Sequence, residues 1–175
     1  MEFRKLLSTR RSVRAFQAKQ IPESALTKIL EAANSAPSAG NLQAYDVLVV
    51  TDAETRKRLA AACHAQSFIA NAPVSLIFFA NPGRSRKYGA RGASLYCIID
   101  ASIAASYAQL AIADEGLATV WVGGFEPGEI MRITNAPSHL LPVALFPIGY
   151  ADEKPELHLK RKLEEGLNWR LRVFL

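Results

Sequence analysis

Residues 94–113 constrain this chain most, because they read as one helix whose surface is apolar almost all the way round. Such a helix has to be covered on every side, so the remaining elements, or a second subunit, must enclose it. Its length is about what a bilayer requires, but it carries Asp100, Gln109 and many Ala and Ser residues, which points to a buried central helix and not a membrane span. The 175 residues are 50% hydrophobic and 21% charged, enough to bury a substantial core, so residues 1–175 are expected to form one domain without a linker. No internal repeat or low-complexity segment interrupts them.

The other elements follow from local signals. Residues 2–8 have helical spacing of Phe3, Leu6 and Leu7. Pro22 and Glu23 open a second helix with Leu26, Ile29, Leu30 and Ala33 as its buried stripe. Residues 34–43 form a polar loop broken by Pro37 and Gly40. A buried strand is predicted at 45–50, then an amphipathic helix at 53–64 capped by Asp52, then a central strand at 73–80 between Pro73 and Pro82. Residues 81–92 read as a basic loop before the long helix, which spans about 93–115 and stops at Gly116. A short strand at 119–122, a helix at 127–133 and a strand at 141–150 complete the order, followed by a tail with a basic run at 160–162 and an apolar end at 169–175. Several links between strands are not short βαβ crossovers, so a mixed sheet with helices on both faces is expected.

The amino-terminal end is strongly basic: residues 1–19 hold six basic side chains against the single acid Glu2, within a chain of net charge +5 and pI near 9.4. Arg10, Arg11 and Arg14 put three guanidiniums around Ser12. In an extended segment Arg10, Ser12 and Arg14 would share one side, with Arg11 and Val13 opposite. Planar guanidiniums grip a phosphate through paired charge-assisted bonds, and a hydroxyl adds a third donor. A solvated basic surface or an Arg- and Ser-rich leader peptide is the alternative reading of these residues alone. Nucleic acid is disfavoured, since no zinc spacing, RNA-binding aromatic signature or long basic helix accompanies the charge.

Inventory removes other chemistries. Cys63 and Cys97 lack metal spacing and read as reduced thiols; His64, His139 and His158 are scattered, so no metal site is expected. There is no Gly-x-Ser-x-Gly elbow, no P-loop and no Gly-x-Gly-x-x-Gly opening a helix. The amino terminus lacks an apolar signal stretch, so a cytoplasmic location is expected. A phosphate clamp with amide-rich loops and a Gly-Gly turn suits a cofactor that carries the reaction itself.

Three segments in order, residues 10–16 (RRSVRAF), 36–43 (APSAGNLQ) and 117–125 (LATVWVGGF), resemble the flavin-dependent nitroreductase family, with similarity running from residue 8 to about 163. The resemblance implies a three-layer α+β fold, a mixed, mostly antiparallel sheet between helices. It also implies a homodimer with FMN at the subunit interface and a carboxy-terminal arm exchanged with the partner. By position, Arg10 and Arg11 would lie at the FMN phosphate, Ser12 at the phosphate or ribityl chain and Arg14 toward the pyrimidine edge of the ring. Pro37, Ser38, Ala39, Asn41 and Gln43 match the loop contributed by the other subunit. Trp121, Val122, Gly123 and Gly124 match the segment along the flavin, where a backbone N–H nears N5 and glycine keeps the approach clear. Gln66 matches an amide at the ring edge, and Lys160 and Lys162 a basic pair completing the clamp. Ala44 and Tyr45 stand where relatives often carry Pro and Trp, and a shorter chain around residues 81–92 and after Phe125 suggests a more open site.

The implied activity is hydride transfer from NADH or NADPH through FMN to a nitroaromatic, quinone or other conjugated small-molecule acceptor by ping-pong turnover. The alternatives are other flavin chemistry on the same fold, such as dehalogenation, dehydrogenation or flavin fragmentation, and an FMN-binding module that senses without turnover.

Overall fold

All seven residues of β2 (Val74–Ala80) are buried, which makes this strand the centre of the molecule in a computed structural model that describes residues 2–156, 160 and 162. β2 is flanked by β1 (Tyr45–Val50) and β4 (Leu141–Gly149), both antiparallel to it, and the two-residue β3 (Ala118–Thr119) closes the order β1-β2-β4-β3. The register runs Tyr45 opposite Ala80 and Val74 opposite Ile148, with a bulge between Phe78 and Phe79. Because side chains alternate along a strand, β2 and β4 send two different apolar sets to the two faces. Leu76, Phe78, Ala144, Phe146 and Ile148 face one cluster; Ile77, Phe79 and Leu145 face the other.

Helices cover both faces. α2 (Glu23–Asn34) and α6 (Cys97–Asp114) lie on the first, through Ala25, Ile29 and Ala33 of α2 and Ala101, Ala104, Ala105, Ala108 and Ile112 of α6. The run of alanines lets α6 sit close on the sheet beneath Phe78 and Phe146, whose rings are 5.2 Å apart. Cutting Phe78 to Ala would remove about 3–5 kcal/mol. α3 (Ala53–Ala62), α4 (Phe68–Asn71) and α7 (Pro127–Thr134) cover the second face with Leu59, Ile69 and Ile130. α3 starts where expected, since the Asp52 carboxylate accepts from the Thr55 N–H at 2.7 Å and its hydroxyl at 2.6 Å; these bonds hold Asp52 below the usual carboxylate range. α1 (Phe3–Thr9) is capped by Glu2 and packs on α6 through Leu6. The result is the three-layer α+β arrangement expected, antiparallel among its strands, with one parallel bridge between Ser12 and Thr119.

Three expectations change. Residues 81–92 are not a plain loop: helical structure begins at Arg86 as a 3-10 turn (Arg86–Tyr88), continues through α5 (Gly89–Arg91) and a π turn (Gly92–Tyr96), and runs into α6. Gly92 permits this because a Cβ there would lie 2.2 Å from the Ser85 carbonyl oxygen, while the Ser85 hydroxyl donates to the Gly92 carbonyl at 2.8 Å. The strand expected at 119–122 stops at Thr119; Val122 returns to β4 only as a bridge to Leu145. Finally, α6 is covered on one side only. Arg86–Asp114 is long and apolar enough to cross a membrane by composition, yet its inner face is core, and Ile98, Ile99 and Tyr107 remain exposed on the outer one. The apolar tail and its exchanged arm lie outside the described residues.

Candidate flavin site

Arg10 is the carboxy-terminal cap of α1, its N–H donating to the Leu6 carbonyl at 3.0 Å, so the helix delivers the basic segment directly onto the sheet edge. There the Val13 N–H donates to the Thr119 carbonyl at 3.1 Å, and Val13 and Phe16 are buried. The expected strand alternation is broken. Arg11 does not turn inward with Val13: it stays half-buried and curls back so that Nη1 donates to the Ser8 and Arg10 carbonyls at 2.6 and 2.8 Å, satisfying acceptors left open at the helix end. Arg14 is exposed, and among the described residues no carboxylate lies within ion-pair distance of Arg10, Arg11 or Arg14.

Arg10, Arg11, Ser12 and Arg14 line a cavity of about 380 Å³ with Lys160, Glu153, Pro155 and Glu156. Lys160, 146 residues after Arg14 in sequence (160 − 14), therefore reaches the same space; Lys162 is exposed and is not part of its lining. Sequence reasoning missed Glu153, which accepts the Arg14 N–H at 2.5 Å. It lies 139 residues from its partner, and no local pattern points to it.

Residues 38–43 occupy a separate place. Gln43 lines a cavity of about 320 Å³ with Asn34, Tyr45 and Arg84, and none of the basic segment takes part. The loop is tightly wound: Gly40, Asn41 and Gln43 adopt left-handed φ of 56°, 57° and 46°, with the Gln43 N–H on the Ser38 hydroxyl at 2.9 Å. A Cβ on Gly40 would come within 2.2 Å of the Tyr88 hydroxyl, so any other residue there would have to displace that side chain and take a left-handed φ. Pro37 and Asn41 are exposed, Ser38 and Ala39 half-buried, and the Gln43 amide donates to the Asn34 carbonyl at 3.1 Å. Beneath the loop the Ala39 and Ala44 N–H groups donate to the two oxygens of buried Asp100 at 2.9 and 3.2 Å. Tyr45, whose hydroxyl donates to the Ala33 carbonyl, titrates above its ordinary range, first through burial and then through the charge of Asp100.

The Gly-Gly segment meets α3. Gln66 Nε2 donates to the Cys63 carbonyl at 2.7 Å and the Gly124 carbonyl at 3.3 Å, which draws Gln66, Gly123 and Gly124 together. His64, another residue sequence reasoning left out, lies 3.6 Å from where a Cβ on Gly124 would be. Trp121 is partly exposed and rests edge-on against Phe146 at 5.2 Å, while Val122 is buried against Leu145. Cys63, fully buried, has its thiol pushed up to about 11 by burial, so it offers no nucleophile at neutral pH.

The basic segment lines a cationic cavity, the 38–43 loop is set apart from it, and the glycine turn packs beside the end of α3. The Nitroreductase family model matches residues 7–69 and 63–150, and the chain belongs to that family. It is similar to an NADH dehydrogenase of Thermus thermophilus, 31% identical over 92% of this chain and 92% of that one. It is also similar to an FMN reductase [NAD(P)H] of Bacillus subtilis, 29% identical over 86% of this chain and 66% of the relative. Among solved structures, an FMN-dependent nitroreductase from Clostridium difficile superposes with a TM-score of 0.76 at 28% identity, covering 95% of both chains.

Proposed function

We propose that this protein is an FMN-dependent NAD(P)H oxidoreductase that delivers electrons to a nitroaromatic, quinone or similar conjugated acceptor. The observation that carries the reading is the cavity of about 380 Å³ with Arg10 and Arg14 guanidiniums that no carboxylate of the described residues pairs. That donor set fits a phosphate dianion, and family membership together with the FMN-dependent relatives supports FMN as its bearer. Arg10, Arg11, Ser12 and Lys160 would hold the phosphate, and Arg14 would lie toward the pyrimidine edge, where a cation stabilises negative charge on the ring. Gly123 and Gly124 would leave the flavin edge open to a backbone N–H, with the Gln66 amide, held on the Cys63 and Gly124 carbonyls, beside it. When bound, FMN supplies the hydride relay at N5 between a nicotinamide and the acceptor, one after the other in the same place.

One chain does not bring residues 38–43 to the clamp, and α6 leaves Ile98, Ile99 and Tyr107 uncovered. Both features support a homodimer in which the loop of one subunit completes the flavin site of the other. The test is the absorbance of purified, FMN-loaded protein under anaerobic conditions, read before and after NADH and then NADPH. A bound flavin whose visible band bleaches is the expected result and names the donor. Bound flavin that neither nucleotide reduces overturns the oxidoreductase reading, and no binding of FMN overturns the site.

A further inference from the structure

Asp100 is 1% exposed, sits in the long apolar helix α6 among Cys97, Ala101 and Ala104, and has no Lys or Arg paired with it among the described residues. A buried carboxylate without compensation is expensive, so its partners are informative. Both are backbone N–H groups, Ala39 to Oδ1 at 2.9 Å and Ala44 to Oδ2 at 3.2 Å, and they bracket the left-handed turn at Gly40, Asn41 and Gln43. Left-handed backbone at Asn and Gln persists only where surrounding bonds over-determine it. Within the turn the backbone bonds are local, Asn41 N–H to the Ser38 carbonyl and Leu42 N–H to the Ala39 carbonyl; the longer-range bonds from Asn34, Asn81 and Arg84 meet only its far end, at Gln43 and Ala44. Asp100 grips both ends of the turn, Ala39 and Ala44, from a helix rooted in the core.

We propose that Asp100 is the positioning residue of the 38–43 loop: by clamping the Ala39 and Ala44 amides it fixes where the Asn41 and Gln43 side chains point, and so sets how the flavin ring is held across the subunit interface. The claim rests on the FMN reading. Asp100 itself touches neither cofactor nor substrate. Its two amide bonds also mean that the Ala39 and Ala44 N–H groups are not free to donate to a ligand, leaving recognition to side chains.

Two variants test this from opposite ends. Asp100→Asn keeps the shape but turns one acceptor into a donor facing an N–H. Ala39→Pro deletes one donor while leaving α6 untouched. The backbone accepts it: Ser38 is extended at φ −142°, ψ 159°, and residue 39 opens a helical turn, where proline is tolerated. Losing one charge-assisted bond should raise the FMN dissociation constant about tenfold in Asp100→Asn, and several-fold in Ala39→Pro. At saturating FMN the circular dichroism of the bound flavin between about 350 and 500 nm should change in both, a signature that mere loss of stability leaves unaltered. Without FMN, amide exchange at residues 41–44 should accelerate in both variants. Folded variants with wild-type exchange in this loop, or with wild-type affinity and flavin dichroism, would overturn the proposal while leaving the FMN reading intact. Failure of the wild type to bind FMN would remove both, and if Asp100→Asn does not fold, Ala39→Pro alone decides.

Discussion

The basic segment at residues 10–14 and the loop at 38–43 are both polar, both adjoin the sheet, and are finished to different degrees. The loop has already satisfied itself: Ser38, Asp100 and Arg84 take up its N–H and carbonyl groups. In the basic segment Arg11 is partly committed to carbonyls, while among the described residues no carboxylate lies within ion-pair distance of the Arg10 or Arg14 guanidinium. Excess charge held in a half-closed cavity is a demand for a ligand; a satisfied turn is a shape offered to one. The clamp should therefore govern affinity through charge, and the loop should govern how the ring lies.

Separating phosphate from ring breaks or sharpens that contrast most directly. Arg10→Ala should weaken FMN binding by about 10- to 100-fold, the worth of a charge-assisted bond to a phosphate, and should leave riboflavin affinity near the wild-type value. Fluorescence titration with the two flavins measures it. Equal losses for both would place Arg10 elsewhere than the phosphate. Arg58→Ala, on the exposed side of α3, serves as the control and should change neither.

A smaller effect is expected on the other side. Ser38→Ala removes the acceptor of the Gln43 N–H, a bond of 2.9 Å within a half-buried turn. The loss should be about three- to tenfold in affinity and should fall on FMN and riboflavin alike, since the phosphate end is untouched. A loss confined to FMN would show that loop and clamp act as one unit.

The same contrast explains what was legible in the sequence. Helical periodicity placed α2 and α3, and short apolar runs bounded by turn residues placed β1, β2 and β4, because a helix stripe and a buried strand each leave a local pattern. The early start at Arg86 was hidden because Gly89 and Gly92 read as breakers, whereas Gly92 is present to let Ser85 approach. The basic segment stood out by charge density, although its residues alone left a solvated surface or a leader peptide open and only the family resemblance joined Lys160 to it. Asp100 could not, although a lone acid in an apolar helix was a visible signal: its partners are 56 and 61 residues away, and only the fold shows that they are loop amides. Glu153 is the stronger case, with no signal short of the tertiary contact to Arg14.

The smallest effect concerns the far end of the loop. Tyr45, two residues past Gln43, is buried and ties β1 to α2 through its hydroxyl on the Ala33 carbonyl at 3.0 Å. Tyr45→Phe should cost about 1 kcal/mol of stability at neutral pH, the net worth of one hydrogen bond, and should change flavin affinity by less than Ser38→Ala does. The pH dependence separates this bond from general packing. Burial, then the charge of Asp100, raises the Tyr45 pKa above its ordinary 10.0, so the unfolded chain ionises first. Its stabilising contribution is whole below pH 10 and declines as pH rises through the folded value. Cys63, raised from 9.0 to about 11, declines over an overlapping range, so the informative quantity is the difference between wild type and Tyr45→Phe in urea melts from pH 8 to 11. The variant should start lower and fall less steeply above pH 10. Parallel curves would mean that neither burial nor the charge of Asp100 raises the Tyr45 hydroxyl in the folded chain.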